Sequence, residues 1–203
     1  MGRGPDMGNG IILKVAVGVC CALAVFALAS CAPKNAAVGD TGSSSTDAPA
    51  HVDSPGETQT VAIVGSANGA DGLVEEALDA DGYKVVLTPV TDADSMTDTD
   101  AATAARIQAV RDAVGRNVSL IVIGEADMAH QTKQWREALQ AARGAGIPVV
   151  LLNPVEGPDD ATLFAATFIV NDRMMDATPV GEAARRVIED EPHERDIVVT
   201  TLH

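Results

Sequence analysis

From Gln59 onward, short aliphatic and β-branched runs alternate with stretches of helical character, and this alternation constrains the fold more than any other feature of the chain. The runs are Val61-Ala62-Ile63-Val64, Lys84-Val85-Val86-Leu87, Ser119-Leu120-Ile121-Val122-Ile123, Pro148-Val149-Val150-Leu151-Leu152, Ala166-Thr167-Phe168-Ile169-Val170 and Asp196-Ile197-Val198-Val199-Thr200. Most are apolar at consecutive positions rather than at alternate ones. Successive side chains of a strand point to opposite faces, so a continuous apolar run buries both faces, as in a parallel sheet covered by helices on each side. The intervening stretches Leu73–Ala80, Ala101–Val114, Thr132–Arg143 and Pro179–Glu189 read as helices. Asp81-Gly82 closes the first, Gly144 and Gly146 stop the third, and Pro179 stands in the first turn of the fourth, where its missing N–H costs nothing. The pattern predicts one doubly wound α/β domain over residues 59–203 with six parallel strands, large enough to enclose its own core. Ile121 and Val149 are expected on adjacent central strands.

The chain upstream has a different texture. Arg3 and Lys14 precede an almost wholly apolar segment from Val15 to Ser30, shorter than the ~20 residues that span a bilayer. A basic start, a short apolar core and small residues at its end describe a secretory signal. The segment ends in Leu28-Ala29-Ser30-Cys31, which resembles the lipobox of bacterial lipoproteins. That resemblance implies cleavage before Cys31, a signal peptide over residues 1–30, and a lipidated Cys31 that anchors the protein to the outer side of a membrane. Processing supplies at least two acyl chains, which stable anchoring needs. Cys20 and Cys21 leave with the signal, so no disulfide, thiol nucleophile or Cys-based metal site is expected. Residues 31–58 are rich in Ala, Ser, Thr, Gly, Pro and Asp, with Gly42-Ser43-Ser44-Ser45-Thr46 at the centre and no apolar period. They read as a flexible linker.

The formal net charge is −15, and loss of Arg3, Lys14 and Asp6 makes the remainder one unit more acidic. Such a surface repels phosphate backbones, so no nucleic-acid partner is expected. After the signal the aromatic residues are Tyr83, Trp135, Phe164 and Phe168, too few for a surface of stacked rings.

Gln140-Ala141-Ala142-Arg143-Gly144-Ala145-Gly146-Ile147-Pro148-Val149-Val150-Leu151-Leu152-Asn153 resembles the fourth-strand stretch of the class I periplasmic-binding-protein-like family of sugar-binding proteins. Gly82-Tyr83-Lys84-Val85, Asn117 to Ile123, and Thr167-Phe168-Ile169-Val170-Asn171-Asp172 match segments of its second, third and fifth strands. Thr132-Lys133-Gln134-Trp135 and Asp159-Asp160-Ala161-Thr162-Leu163 resemble the Trp-bearing helix start and acidic loop of the galactofuranose-type binders. The resemblance implies sugar capture for uptake by an ABC transporter, with a sugar ligand, a transporter permease and the membrane as partners. Two lobes clamp the ligand in that family, and residues 59–203 are expected to supply the first. A single lobe leaves open an interaction module without a ligand, a truncated remnant, or a homodimer that pairs two copies. The chain departs from the family at three points: the loop after the first strand, Ser66 to Gly72, carries no aromatic residue, the fourth-strand acid is Asn153, and the Arg that often follows is Pro154.

In open α/β sheets ligands bind at the carboxyl ends of the strands. Asn68, Glu125, Asp127, Asn153 and Asp172 fall there, and Asn and Asp can bracket sugar hydroxyls by donating and accepting. The same residues can instead cap helices or satisfy loop backbone. Asn68, Glu125, Trp135, Asn153 and Asp172 are the candidate ligand-binding residues; Trp135 either stacks on a sugar or packs in the core beside Leu139. No cofactor is expected: Gly65, Gly69 and Gly72 have the wrong spacing for a dinucleotide fingerprint, and no acid follows the second strand for a ribose. Asp92, Asp94, Asp98 and Asp100 lack the Gly and distal Glu of a calcium loop, so no metal is expected. Catalysis is not expected either. His130 and His193 stand far apart, Ser66 and Ser119 have no base in view, and no nucleophile-elbow motif occurs.

Overall fold

The computed structural model describes residues 58–90 and 99–202. The signal segment, Cys31 and the linker up to residue 57 lie outside the described residues, as do Asp92, Asp94 and Asp98. The described chain runs β1 (Thr60–Gly65), α1 (Gly69–Ala80), β2 (Lys84–Pro89), α2 (Thr99–Gly115), β3 (Leu120–Gly124), α3 (Thr132–Gly144), β4 (Val149–Leu152), a 3-10 turn (Ala161–Leu163), β5 (Ala166–Val170), β6 (Thr178–Pro179), α4 (Val180–Ile188) and β7 (Asp196–Thr200). The strands form one sheet in the order β2-β1-β3-β4-β5-β7-β6, with every pairing parallel.

The continuous apolar runs feed two cores. Val61, Ile63, Leu120, Val122, Val150, Leu152 and Phe168 pack on one face with Val74 and Leu78 of α1 and Val180, Ala183, Ala184 and Val187 of α4. Ala62, Val64, Ile121, Ile123, Val149 and Leu151 pack on the other with Ile107 and Val110 of α2 and Trp135, Ala138, Leu139 and Ala142 of α3. Both α3 and α4 bury positions i, i+3, i+4 and i+7, the stripe a helix lays on a sheet. Ile121 stands opposite Val149 on neighbouring strands, as expected.

The sheet has seven strands rather than six. The added β6 has only two residues, Thr178 and Pro179, and pairs with Val199 and Thr200 at the outer edge. Pro179 therefore ends a strand and caps α4 in an extended conformation (φ −53°, ψ 134°) instead of sitting in the first helical turn. Two residues are too few to show a period, and an edge strand tolerates Pro because no ladder partner needs its N–H. Helix α1 begins at Gly69, four residues before the apolar period at Leu73, because its first turn buries Asp71 rather than a hydrophobe. The expected acidic loop contains the 3-10 turn, capped by Asp160 Oδ1, which accepts the Thr162 N–H at 3.0 Å.

Candidate functional site

The strand order reverses between β1 and β3: the chain leaves β1 for β2 on one side and returns to β3 on the other. Such a point opens a crevice at the carboxyl ends of the strands, because the two crossover connections diverge. Asn68, Glu125, Asn153 and Asp172 lie just beyond the carboxyl ends of β1, β3, β4 and β5, four consecutive strands of the sheet. At ~4.8 Å between neighbouring strands the row extends about 14 Å.

The individual environments differ. Asn68 is exposed, occupies the N-cap position of α1 in an extended conformation, and makes no side-chain cap bond; its backbone N–H donates to Ser66 Oγ at 3.2 Å. Glu125 is exposed and Asn153 half-buried, and both adopt the left-handed region with φ of 43°. Their backbone N–H groups donate to Leu152 O and Phe168 O, each at 2.9 Å, so each residue closes the end of its own strand on the next. Asn tolerates this conformation, whereas Glu is held in it against a penalty of order 1 kcal/mol. Asn153 Oδ1 accepts the Val170 N–H at 3.0 Å, which leaves its amide nitrogen as the group able to donate outward.

Asp172 is largely committed. Its Oδ1 accepts from Thr201 N at 2.7 Å and Thr200 Oγ1 at 2.9 Å, and its Oδ2 accepts from Thr201 Oγ1 at 2.9 Å. These bonds, the backbone one first, hold its carboxyl below the usual range. A carboxylate has about four acceptor sites, so roughly one remains. Trp135 is 1% exposed and belongs to the core against α2 and β3. Of its two expected roles the structure shows the core one: neither ring face is open to a sugar. Asp127 lies beside this row, where residues 125–128 and 153–156 extend the sheet past the strand ends through the Asp127–Glu156 bridge. Asp127 Oδ2 stands 4.0 Å from His130 Nε2, and Oδ1 accepts the Ala129 N–H at 3.1 Å.

Two charged residues that the sequence reading passed over lie directly beneath the crevice. Asp71 is 2% exposed, and its Oδ2 accepts the Ser66 N–H at 2.8 Å. Its carboxylate fills a slot between the ends of β1 and β3 that exists only because Gly65 and Gly124 lack side chains: a Cβ on either would lie 2.1 Å from a carboxylate oxygen. Arg106, 9% exposed, donates from Nη1 to Gly124 O at 2.5 Å. Arg106 shares its buried stripe with Thr103, Ile107 and Val110, and a charge on an otherwise core-facing helical stripe is the signal that could have found it. Among the described residues no group of three or more His, Cys, Asp or Glu side chains is placed to hold a metal, and no helix is long and apolar enough to cross a membrane.

No protein-family model matches the sequence, and no curated protein matches it either. Several solved structures are similar. One is an ABC sugar transporter subunit from Rhodobacter sphaeroides 2.4.1, at 12% identity over 56% of this chain and 36% of that one, with a TM-score of 0.40. Another is a galactofuranose binding protein, at 16% identity over 69% of this chain and 56% of that one, with a TM-score of 0.42. A third is the periplasmic binding component of the arabinose ABC transporter from Shewanella sp. ANA-3, at 20% identity over 70% of this chain and 54% of that one, with a TM-score of 0.40. The chain thus spans about a third to just over half the length of the solved structures it is similar to.

Proposed function

We propose that this chain is a membrane-anchored, extracytoplasmic solute-binding-like lipoprotein that takes a neutral hydroxylated ligand at its strand-end crevice and serves carbohydrate uptake through an ABC transporter. Residues 1–30 act as the signal, lipidated Cys31 as the anchor, residues 31–58 as the linker, and residues 59–203 as the binding domain. The observation that carries the ligand reading is the row of Asn68, Glu125 and Asn153 on consecutive strand ends, with Glu125 kept in a costly left-handed conformation where Gly would serve a purely structural turn. The row offers an acceptor at Glu125 and donor groups at Asn68 and Asn153, the mixture that hydroxyls require. Asp172 contributes its remaining acceptor site.

An NMR titration of the soluble domain with D-galactose and L-arabinose tests the binding part. Shifts confined to the Asn68, Glu125 and Asn153 neighbourhoods support it, and a titration that moves none of them removes it. Anchoring is tested separately: Cys31→Ala should abolish incorporation of labelled palmitate in a bacterial host, and a variant that still carries label would show the lipobox assignment to be wrong.

A second reading, an interaction module without a sugar ligand, is favoured by one feature. Val155, Met174, Met175 and Leu202 are exposed beyond the ends of β4, β5 and β7, on the same edge of the sheet. Exposed apolar side chains grouped on one edge suit a protein contact. Pairing of two copies through this edge would rebuild a two-sided cleft and join the two readings.

A further inference from the structure

The geometry points to Asp71 and Arg106 as a positioning pair that couples the two walls of the crevice, so that the loop carrying Asn68 and the loop carrying Glu125 hold one relative position. The inference rests on the strand-end reading above for its functional meaning, and on the following contacts for its physics.

Asp71 reaches both walls. Its Oδ2 accepts the Ser66 N–H in the turn that leads to Asn68, and its carboxylate lies against Gly124, the residue before Glu125. Arg106 approaches the second wall from α2 and holds the Gly124 carbonyl. Two opposite charges, each with at most 9% exposure, thus converge on one peptide at the end of β3. Charge-assisted hydrogen bonds in such a dry setting are stronger than neutral ones and tolerate little displacement. Glu125 is the next residue, and its left-handed conformation must be maintained by its surroundings because Glu does not favour it. A carboxylate that braces Ser66 while filling the space beside Gly124 transmits any movement of one wall to the other. The glycines are part of the device: a Cβ at either position would occupy the place of the carboxylate. Neither Asp71 nor Arg106 is placed to touch a ligand, since both lie beneath the surface. Their role is to set the distance between groups that do.

The test is residue-resolved amide hydrogen exchange by NMR on the full chain in detergent, comparing wild type with Asp71→Asn and Arg106→Lys. Asp71→Asn removes the charge that accepts from Ser66, and Arg106→Lys keeps a charge but shortens the reach to Gly124. If the pair couples the walls, each variant accelerates exchange at both Ser66 and Glu125 by about tenfold or more, while Leu151 and Leu139 in the core keep their protection. A variant that merely loosened the fold would accelerate the core amides as well. The coupling is overturned if Asp71→Asn accelerates Ser66 and leaves Glu125 unchanged, or if Arg106→Lys accelerates Glu125 and leaves Ser66 unchanged. Should Asp71→Asn fail to fold, Arg106→Lys decides alone by the same criterion. No ligand enters this comparison, so a wild-type chain that ignores D-galactose and L-arabinose counts against the sugar-binding reading only. Where wild type does bind one of them, both variants should weaken the affinity while the emission of buried Trp135 stays unchanged.

Discussion

Gly124→Ala should be among the most destabilising one-carbon changes available to this protein. The new Cβ would lie 2.1 Å from Asp71 Oδ1, 2.2 Å from Oδ2 and 2.3 Å from Cγ, so the whole carboxylate must leave its slot. Leaving breaks the 2.8 Å bond from Ser66 N–H, a charged hydrogen bond worth about 1.5–3 kcal/mol. The strain of forcing an extra carbon between packed strands adds about 1–3 kcal/mol. The two together make roughly 2.5–6 kcal/mol, a large part of the ~5–15 kcal/mol that holds a domain folded. At about 2–4 °C per kcal/mol for a chain of this size, the melting temperature should fall by on the order of 10 °C. Urea unfolding followed by the emission of Trp135, the only tryptophan and 1% exposed, measures the change directly. The decisive comparison is with Asp71→Ala, where no carboxylate remains to be displaced. In that background the Ala at 124 should cost less than about 1 kcal/mol, giving a coupling of at least ~1.5 kcal/mol. Additive costs in the double variant, or a single Gly124→Ala variant as stable as wild type, would refute the steric account of the slot.

Other outcomes follow from the same geometry. Ile121→Asp places an unpaired charge opposite Val149 in the middle of the sheet and should cost several kcal/mol in the same urea assay; an unchanged midpoint would contradict the packing described. Tyr83 is pushed up from 10.0 to about 12, first by burial and then by Asp81, and its hydroxyl donates to Gly181 O at 3.0 Å. A raised folded-state pKa means that this contribution is complete below the unfolded value and disappears as pH climbs through the folded one. Stability should therefore fall between about pH 10 and pH 12 in wild type and fall less in Tyr83→Phe, measured by thermal melts across that range. The strand-end row as described offers two neutral hydrogen bonds of ~0.5–1.5 kcal/mol each, from Asn68 and Asn153, and two to carboxylates of ~1.5–3 kcal/mol each, at Glu125 and Asp172, set against at least ~4 kcal/mol of lost freedom. A demonstrated monomer should accordingly bind free monosaccharides no better than about millimolar by calorimetry. Micromolar binding by a monomer would overturn that estimate, whereas micromolar binding that appears only on dimerisation, and is lost in Asp172→Ala, would support the rebuilt cleft.

The sheet was legible in the sequence because parallel strands buried on both faces leave a strong local mark. Val61 to Val64, Leu120 to Ile123 and Val149 to Leu152 are apolar at every position, and each residue indeed serves one core or the other. The same locality explains why α3 and α4 could be read from their spacing. It also explains the misses at β6 and the start of α1, where two residues and a buried aspartate carry no period.

The site divides along the same line. Strand ends are local features, so Asn68, Glu125, Asn153 and Asp172 could be placed on one edge from the strand pattern alone. What each side chain does there depends on partners remote in sequence. Asp172 is occupied by Thr200 and Thr201, 28 and 29 residues away, and Asn153 by Val170, 17 residues away. For Trp135 both outcomes fitted the helical spacing, and only the closure of α2 and α3 over the sheet decided for the core. Asp71 and Arg106 show the limit most clearly. Their slot is made by Gly65, Ser66 and Gly124 from two strand ends together with two helices, and although the stripe of α2 could mark Arg106 as buried, nothing local in the chain says that it meets Asp71's slot at Gly124. Hydrophobic periodicity is a property of a segment and survives in the sequence. The environment of a buried charge is a property of the assembled fold, because it exists only once distant segments have excluded water from the same place.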